Sequence, residues 1–392
     1  MGRFTGLLFL LSSVVCAGQS TGILERPNYL IEKMASGELK TELTSCMQGL
    51  AELSQNSFTI GHRGAARNFA EHTLESYQAA AAQGAGLIEC DVTFTKDLQL
   101  VCRHSQCDLH RTTNILATPL AQNCSLPFKG ANQDQKTSAS AKCCTSDITL
   151  AEFKSLCGRM DYVNNEAQSV IEYLAAIPPW LNRELSECPT VLSHRESIVE
   201  IDRLGVNFTP ELKTPQVDMP FQGHFSQEQF AAKMFSEYRQ HNIAPERVWP
   251  QSFEFSDIEN WLIQYPEYRH HMVFLDDRKS ADSNFVATEA NMQSLYDQGV
   301  RIVAPNIWTL LDFDPSQGLV ASHYAKLARS AGLQIITWTF DSPHIPKGNN
   351  GKPLFTDGDR YKILDVLAQD VGVIGVFSDW SASVSFYANC KM

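Results

Sequence analysis

The sequence lacks a long apolar run of the kind that crosses a membrane. Beyond residue 15, no stretch of about 18 residues is both apolar and free of charge. Positive charge is also scarce, with 32 lysines and arginines against 44 acidic residues and a net charge of -12 at pH 7. A chain with this charge repels the phosphates of nucleic acids. We therefore expect no stable membrane anchor and no nucleic-acid partner.

Closely spaced zinc-ligand pairs are absent as well. The sequence has no Cys-x-x-Cys and no His-x-x-x-His, which argues against a zinc site. Residues 1–17 combine Arg3, an apolar run and small residues before a cleavage point near Ala17, the pattern of a secretory signal peptide. Of the eleven cysteines, Cys16 lies in this signal and the other ten are an even number. We expect a secreted, extracellular protein whose ten cysteines form disulfides of open connectivity.

From residue 58 onward, short apolar segments alternate with segments of helical period, which indicates repeated β-α units around a parallel sheet. The predicted strands are 58–64, 86–95, 98–104, 206–213, 248–254, 272–276, 301–306, 334–340 and 373–378. The clearest helices between them are predicted at 73–83, 226–240, 318–331 and 359–369. Nine strands are one too many for a (β/α)8 barrel.

The surplus strand is explained by the short link at residues 96–97. A parallel crossover needs about 10–12 residues or more, so the second and third predicted strands must form an antiparallel hairpin. This hairpin sets His104 opposite Glu89 or Cys90. The predicted fold class is therefore α/β, a (β/α)8 TIM barrel over residues 58–392.

Two further segments account for the remaining length. Residues 18–57 are predicted as a helical N-terminal extension, and residues 105–205 as an insertion within the barrel, after the hairpin. Six of the ten cysteines lie in the insertion, so disulfides are expected to replace part of a hydrophobic core there. Sequons at Asn123 and Asn207 permit glycosylation.

Acidic residues stand near the end of a predicted central strand, where barrel active sites are built. Glu89 and Asp91 share one face of that strand. Two like charges inside a barrel are costly unless a cation neutralises them. A divalent cation, Mg²⁺ or Ca²⁺, meets that need with oxygen ligands. An ion pair with a nearby arginine or lysine is the alternative.

Other chemically active residues follow neighbouring predicted strands. His62 and Arg63 stand between two glycines, His104 ends the hairpin, and Glu211 and Lys213 share a face of the next strand. Together they supply two imidazoles, two cations and a third carboxylate at one end of the barrel. Such a set suits attack at phosphorus, with imidazoles to move protons and cations for the phosphoryl oxygens.

A series of short motifs, taken together, resembles a known enzyme family. In order along the chain, the motifs are His62-Arg63-Gly64, Glu71-His72-Thr73, Glu89-Cys90-Asp91, Thr95-Lys96-Asp97, His104, Glu211-Leu212-Lys213, Thr337-Trp338-Thr339 and Ser378-Asp379. In these motifs the sequence resembles the glycerophosphodiester phosphodiesterases, within the phosphatidylinositol phospholipase C-like superfamily. The resemblance runs from about residue 58 to residue 380 and is interrupted by the insertion.

The resemblance implies hydrolysis of a small-molecule glycerophosphodiester, such as glycerophosphocholine, to glycerol 3-phosphate and an alcohol; a lysophospholipid is a further substrate class. It implies His62 and His104 as the acid/base pair, with Arg63 and Lys213 on the substrate phosphate. It also implies that Mg²⁺ or Ca²⁺ is held by three carboxylates, those of Glu89, Asp91 and Glu211. In the family mechanism a glycerol hydroxyl attacks phosphorus, and water opens the resulting cyclic phosphate.

Several features leave the substrate open. Ser105 stands where the family usually has Asp, and His72 where Asn is common. Trp338 either lines the substrate pocket or packs in the barrel core. One alternative function is a phospholipase D-like or sphingomyelinase D-like enzyme acting on phospholipids. Another is a non-catalytic barrel that binds a surface ligand, although such a binder gains nothing from buried like charges.

Overall fold

A computed structural model describes residues 20–181, 186–282, 284–341, 346–347 and 353–392. The predicted signal segment 1–17 lies outside the described residues. Within these ranges, no helix has both the length and the apolar character needed to cross a membrane.

The described residues form thirteen strands and fifteen α-helices. The strands are β1 (Asn56–Gly61), β2 (Ala85–Phe94), β3 (Leu100–Cys102), β4 (Leu126–Lys129), β5 (Ser140–Lys142), β6 (Asn207–Leu212), β7 (Gln251–Ser252), β8 (Val273–Phe274), β9 (Ile302–Val303), β10 (Leu311–Asp314), β11 (Gly318–Ala321), β12 (Gln334–Thr337) and β13 (Gly375–Ser378). The helices are α1 (Ser20–Ile23), α2 (Glu25–Lys33), α3 (Glu38–Gly49), α4 (Leu74–Ala82), α5 (Leu109–Thr112), α6 (Leu150–Phe153), α7 (Val170–Leu174), α8 (His194–Arg203), α9 (Gln227–Gln240), α10 (Phe255–Gln264), α11 (Arg278–Ala281), α12 (Glu289–Asp297), α13 (His323–Ser330), α14 (Arg360–Asp365) and α15 (Ser381–Lys391).

Eight parallel strands close into a barrel in the order β1-β2-β6-β7-β8-β9-β12-β13, because β13 also pairs with β1. The (β/α)8 prediction is therefore confirmed. Strand β3 runs antiparallel to β2, with Val92 opposite Cys102. The Arg103 N–H donates to the Asp91 carbonyl at 2.8 Å, which continues this register and brings His104 opposite Cys90, as predicted.

The helix predicted over residues 318–331 is wrong for its first part. Residues Gly318–Ala321 instead form β11, which pairs with β10 in an antiparallel hairpin. Gly318 has a φ of +84°, a left-handed conformation that suits glycine in the turn. Leu319 and Ala321 are buried in period-two alternation. The helix begins only at His323, after the Ser322 side chain caps its N-terminus.

The N-terminal helices pack against the barrel. Leu30, Ile31 and Leu43 are buried in the main hydrophobic core. Arg26 forms two hydrogen bonds with Asp357, at 3.0 and 3.1 Å. A disulfide joins Cys46 in α3 to Cys390 in α15, so the two ends of the described chain are covalently connected.

The segment between β3 and α8 has a hydrophobic cluster of its own. Its largest buried members include Leu109, Ile115, Phe153 and Tyr173. Three disulfides lie within it, joining Cys107 to Cys144, Cys124 to Cys143 and Cys157 to Cys188. The fifth disulfide, Cys90–Cys102, links β2 to β3. All ten cysteines outside residues 1–19 are thus paired, which confirms the predicted disulfides.

The Cys46–Cys390 disulfide is expected to be a major contributor to stability, because it spans 344 residues and constrains the unfolded chain strongly. Replacing both cysteines by alanine should lower the free energy of unfolding by about 2–5 kcal/mol. The Cys157→Ala/Cys188→Ala variant removes a disulfide that spans only 31 residues. Its free energy of unfolding should fall by about 2 kcal/mol less than that of the Cys46→Ala/Cys390→Ala variant. Guanidinium denaturation without reductant measures both losses, and an equal or larger loss in the shorter link would contradict this ranking.

Candidate active site

The barrel interior changes from apolar to polar towards the carboxyl ends of its strands. The apolar floor consists of Ile60, Leu87, Val273, Leu275, Ile302, Ala304, Ile336 and Phe377. On β2, Leu87 belongs to this floor, whereas Ile88, Cys90 and Val92 belong to the surrounding core. Glu89 and Asp91 therefore share the inward face with Leu87, above the apolar floor.

Three buried carboxylates meet in this polar layer. Oxygen atoms of Glu89, Asp91 and Glu211 lie within 4.8 Å of one another. Glu89 accepts hydrogen bonds from the Arg63 backbone N–H at 3.0 Å and from the Gln251 amide at 2.9 Å. Burial and the neighbouring carboxylates raise the pKa of Glu89 well above its usual range. Burial also raises the pKa of Glu211 to about 8, although Lys213 opposes it.

The donor set fits a divalent cation. Asp91 Oδ1 is buried and has no hydrogen-bond partner among the described residues. Protonated Glu89 and Glu211 would release their protons to solvent when a hard cation, which prefers carboxylate oxygens, took their place. The sequence also allowed an ion pair in place of a cation, and the structure contains one. Lys213 Nζ lies 2.6 Å from Glu211 and 3.7 Å from Asp91. This ammonium and the Arg63 guanidinium, which is shared between Asp91 and Glu71, balance only part of the charge that four ionised carboxylates would carry.

His62 follows β1 and is oriented from both sides. Its backbone N–H donates to the Ser378 carbonyl at 3.0 Å. Its ring Nδ1 is hydrogen-bonded to the carboxylate of Asp379. Nε2 points towards the carboxylates and lies 3.8 Å from Glu89. Asp379 thereby holds the ring so that Nε2 faces the cavity. The sequence offered Asp379 only as part of a motif, so this role was not predicted.

Arg63 lies between the carboxylates of two neighbouring elements. Its φ of +57° is left-handed, and this turn directs the side chain into the site. The guanidinium contacts Glu71 at 3.0 Å and Asp91 at 3.6 Å. Glu71 is buried, and its Oε1 has no hydrogen-bond partner in the described part of the chain. The sequence offered Glu71 only as part of a motif, so this contact was not predicted.

His104 extends from the end of β3 and is half-buried. Burial, together with the charges of Arg63 and Lys213, holds the pKa of this imidazole well below its usual range. The preceding residue, Arg103, is fully buried. It donates hydrogen bonds to the backbone carbonyls of Cys102, Thr112, Glu71 and His72. The backbone that carries His104 is thereby tied to the loop after β1.

His72, which stands where the family commonly has Asn, contacts one of the three carboxylates. Its ring is fully buried, with Nε2 2.8 Å from Asp91 Oδ2 and Nδ1 3.0 Å from the Tyr77 hydroxyl. Burial lowers the pKa of this imidazole. Burial alone would raise the pKa of Asp91, but Lys213 and the hydrogen bond from His72 hold it well below its usual range. His72 thus orients and stabilises the Asp91 carboxylate.

A single cavity of about 720 Å³ brings the predicted residues together. Its lining includes all eight of them: His62, Arg63, Glu89, Asp91, His104, Glu211, Lys213 and Trp338. Trp338 both lines the cavity and is anchored, because its indole N–H donates to the Ala304 carbonyl at 2.7 Å. The outer wall comes from the segment after β3 and includes Met160, Asp161 and Trp180. The catalytic, phosphate-binding, metal-binding and substrate-pocket roles of the eight predicted residues stay predictions.

Residues 62–382 match the glycerophosphoryl diester phosphodiesterase family. The chain belongs to this family. The matched residues contain every strand of the barrel except β1, which ends one residue before the match begins, and all eight predicted site residues. The family match therefore covers the same site that the geometry assembles.

The chain is also similar to individual proteins in sequence and in fold. The chain is 39% identical over 242 residues to an "Extracellular protein" of Arthroderma benhamiae, covering 59% of this chain and 99% of that protein. It is 36% identical over 74 residues to a glycerophosphodiester phosphodiesterase of Bacillus subtilis, covering 19% of this chain and 25% of that one. A phosphodiesterase of Oleispira antarctica, solved with the product sn-glycerol-3-phosphate, is similar in fold, with a TM-score of 0.51, 19% identity and coverage of 86% and 97%.

The carboxylate cluster is expected to bind a divalent cation. In calorimetric titrations of chelator-treated protein with Mg²⁺ or Ca²⁺, Asp91→Asn should weaken binding at least about tenfold, because it removes a charged oxygen ligand. Asp161→Asn is the matched control, since Asp161 lines the same cavity but pairs with Arg111 at 2.6 Å. Equal weakening in both variants, or no binding by the unaltered protein, would contradict a site at these carboxylates.

Proposed function

We propose that the protein is a secreted, metal-dependent phosphodiesterase that hydrolyses glycerophosphodiesters to glycerol 3-phosphate and an alcohol. The observation that carries the proposal is the meeting of three carboxylates, two imidazoles and two cationic side chains in one cavity. Membership of the glycerophosphoryl diester phosphodiesterase family supports the reaction class. A relative described as extracellular supports secretion.

Phosphate binding is assigned to Arg63 and Lys213. Both line the cavity, and their side chains are only 17% and 15% exposed. Cationic groups in such a water-poor site attract the phosphodiester more strongly than they would in bulk water. They also give an acidic protein a local positive surface for an anionic substrate.

Proton transfer is assigned to His62 and His104. The Asp379 carboxylate fixes the Nδ1 proton of His62, so Nε2 is free to accept or donate a proton at the substrate oxygen. His104 has a lowered pKa and is thus neutral near pH 7, the form that accepts a proton. Two imidazoles allow one oxygen to lose a proton while the leaving alcohol gains one.

The cation is assigned to the carboxylates of Glu89, Asp91 and Glu211. When bound there, a divalent cation would neutralise charge on the phosphoryl oxygens as a Lewis acid. Within the chain, Gln251 and His72 orient two of these carboxylates through hydrogen bonds. Removing the cation with EDTA should therefore abolish turnover, and Mg²⁺ or Ca²⁺ should restore it.

Hydrolysis of glycerophosphocholine tests the reaction directly. The purified protein should release glycerol 3-phosphate, and His62→Ala or His104→Ala should lower kcat by about 10²–10⁴-fold, the usual contribution of a general acid or base. His270→Ala is the matched control, since His270 is exposed in the loop before β8. Unchanged kcat in either of the first two variants would rule out that histidine as the acid or base.

Product analysis separates this reaction from the phospholipase D-like alternative. The proposed enzyme yields glycerol 3-phosphate from glycerophosphocholine and leaves sphingomyelin intact. Release of free choline together with a cyclic lipid phosphate from a phospholipid would favour the alternative. Binding of substrate without any product would favour the non-catalytic barrel.

The lowered pKa of His104 gives a pH prediction. Because burial, Arg63 and Lys213 all disfavour the imidazolium form, the ring stays neutral below the ordinary histidine pKa of about 6.5. The acid limb of kcat/KM should then lie below about pH 6.5. Lys213→Gln removes one opposing cation, so it should move this limb to higher pH while also lowering activity. A limb that stays in place or moves to lower pH in Lys213→Gln would contradict the assignment.

A further inference from the structure

Arg67 lines the cavity but has no place in the chemistry described above. It lies on the loop after β1 and is half-buried. Its guanidinium carbon lies 3.9 Å from the ring centroid of Trp180, a cation–π contact. Trp180 belongs to the segment after β3 and packs edge-on against Tyr162, with ring centroids 5.5 Å apart. The inserted segment thus holds an arginine from the barrel in a fixed position.

The carboxylates of Asp379 and Asp341 act on the charge of Arg67, but only over distances longer than an ion pair. Within the described residues, no carboxylate forms an ion pair with Arg67, whereas each of the other cationic side chains has one. Those pairs are Arg63–Glu71, Lys213–Glu211 and Arg111–Asp161. Burial lowers the pKa of the Arg67 guanidinium, but an arginine stays protonated at neutral pH. Its N–H donors are therefore charged and available to a ligand.

The position of Arg67 relates it to the reacting centre. Its backbone N–H donates to the Asp379 carbonyl at 3.0 Å, and the Asp379 carboxylate holds His62. Its side chain meets the outer wall formed by the inserted segment. A substrate whose phosphate lies on Arg63 and Lys213 would share one cavity with Arg67 and with this wall.

The Trp180 face covered by Arg67 is closed to a quaternary ammonium group. A partly desolvated guanidinium instead favours a negatively charged oxygen group, with which it forms strong, bidentate hydrogen bonds. We propose that Arg67, held on Trp180, forms a binding subsite for an anionic oxygen group, such as a carboxylate, on the alcohol half of the substrate. This inference rests on the proposed function and specifies the substrate class that the same cavity prefers.

Two substrates that differ by one carboxylate test the subsite. Glycerophosphoserine carries this group and glycerophosphoethanolamine lacks it. The unaltered protein should show a kcat/KM for glycerophosphoserine at least about tenfold above that for glycerophosphoethanolamine, as expected for a charge-assisted hydrogen bond. Arg67→Ala should abolish this preference, and Arg67→Lys should retain part of it. Arg269→Ala, at an exposed arginine in the loop before β8, should leave the preference unchanged.

Binding measured without turnover separates this inference from the proposed function. Calorimetry with both compounds on the His104→Ala variant reports the same carboxylate preference even if neither compound is hydrolysed. Loss of the preference in His104→Ala/Arg67→Ala supports the subsite. The subsite is overturned if the unaltered protein shows no preference, or if Arg67→Ala weakens the binding of both compounds equally. Trp180→Ala should weaken the preference as well, because it frees the guanidinium from its fixed position.

Discussion

The site depends on the burial of three carboxylates inside one barrel. Like charges at this depth are stable only with hydrogen bonds and cations around them, and the neighbouring residues supply these. Gln251 and the Arg63 backbone bind Glu89, His72 binds Asp91, and Lys213 pairs with Glu211. A divalent cation would complete the balance. The constraint on charge therefore also determines which residues lie beside these carboxylates.

The cavity has an inner layer of charged side chains and an outer wall. The strand ends carry the charged inner groups above the apolar floor, whereas the segment between β3 and α8, linked by three disulfides, forms the outer wall. Arg103 joins the layers, because it binds carbonyls of the loop after β1 and of Thr112.

The sequence predicted the barrel, the hairpin and the shared inward face of Glu89 and Asp91, since these follow from local rules. A two-residue link forces antiparallel pairing, and period-two alternation places Glu89 and Asp91 together. Contacts between segments that are distant in the sequence could not be predicted from it. The stacking of Arg67 on Trp180 and the disulfide pairs depend on tertiary packing that has no local pattern. Strand β11 was missed because its apolar residues also fit a helical period.

The central claim is that the cation site adjoins the substrate phosphate. Paramagnetic relaxation of the phosphorus nucleus tests it, with Mn²⁺ as the cation and sn-glycerol 3-phosphate as the ligand. We expect strong, distance-dependent relaxation of the bound phosphate in the unaltered protein and the loss of this relaxation in the Asp91→Asn variant. Equal relaxation in both proteins would contradict a cation held by these carboxylates beside the phosphate.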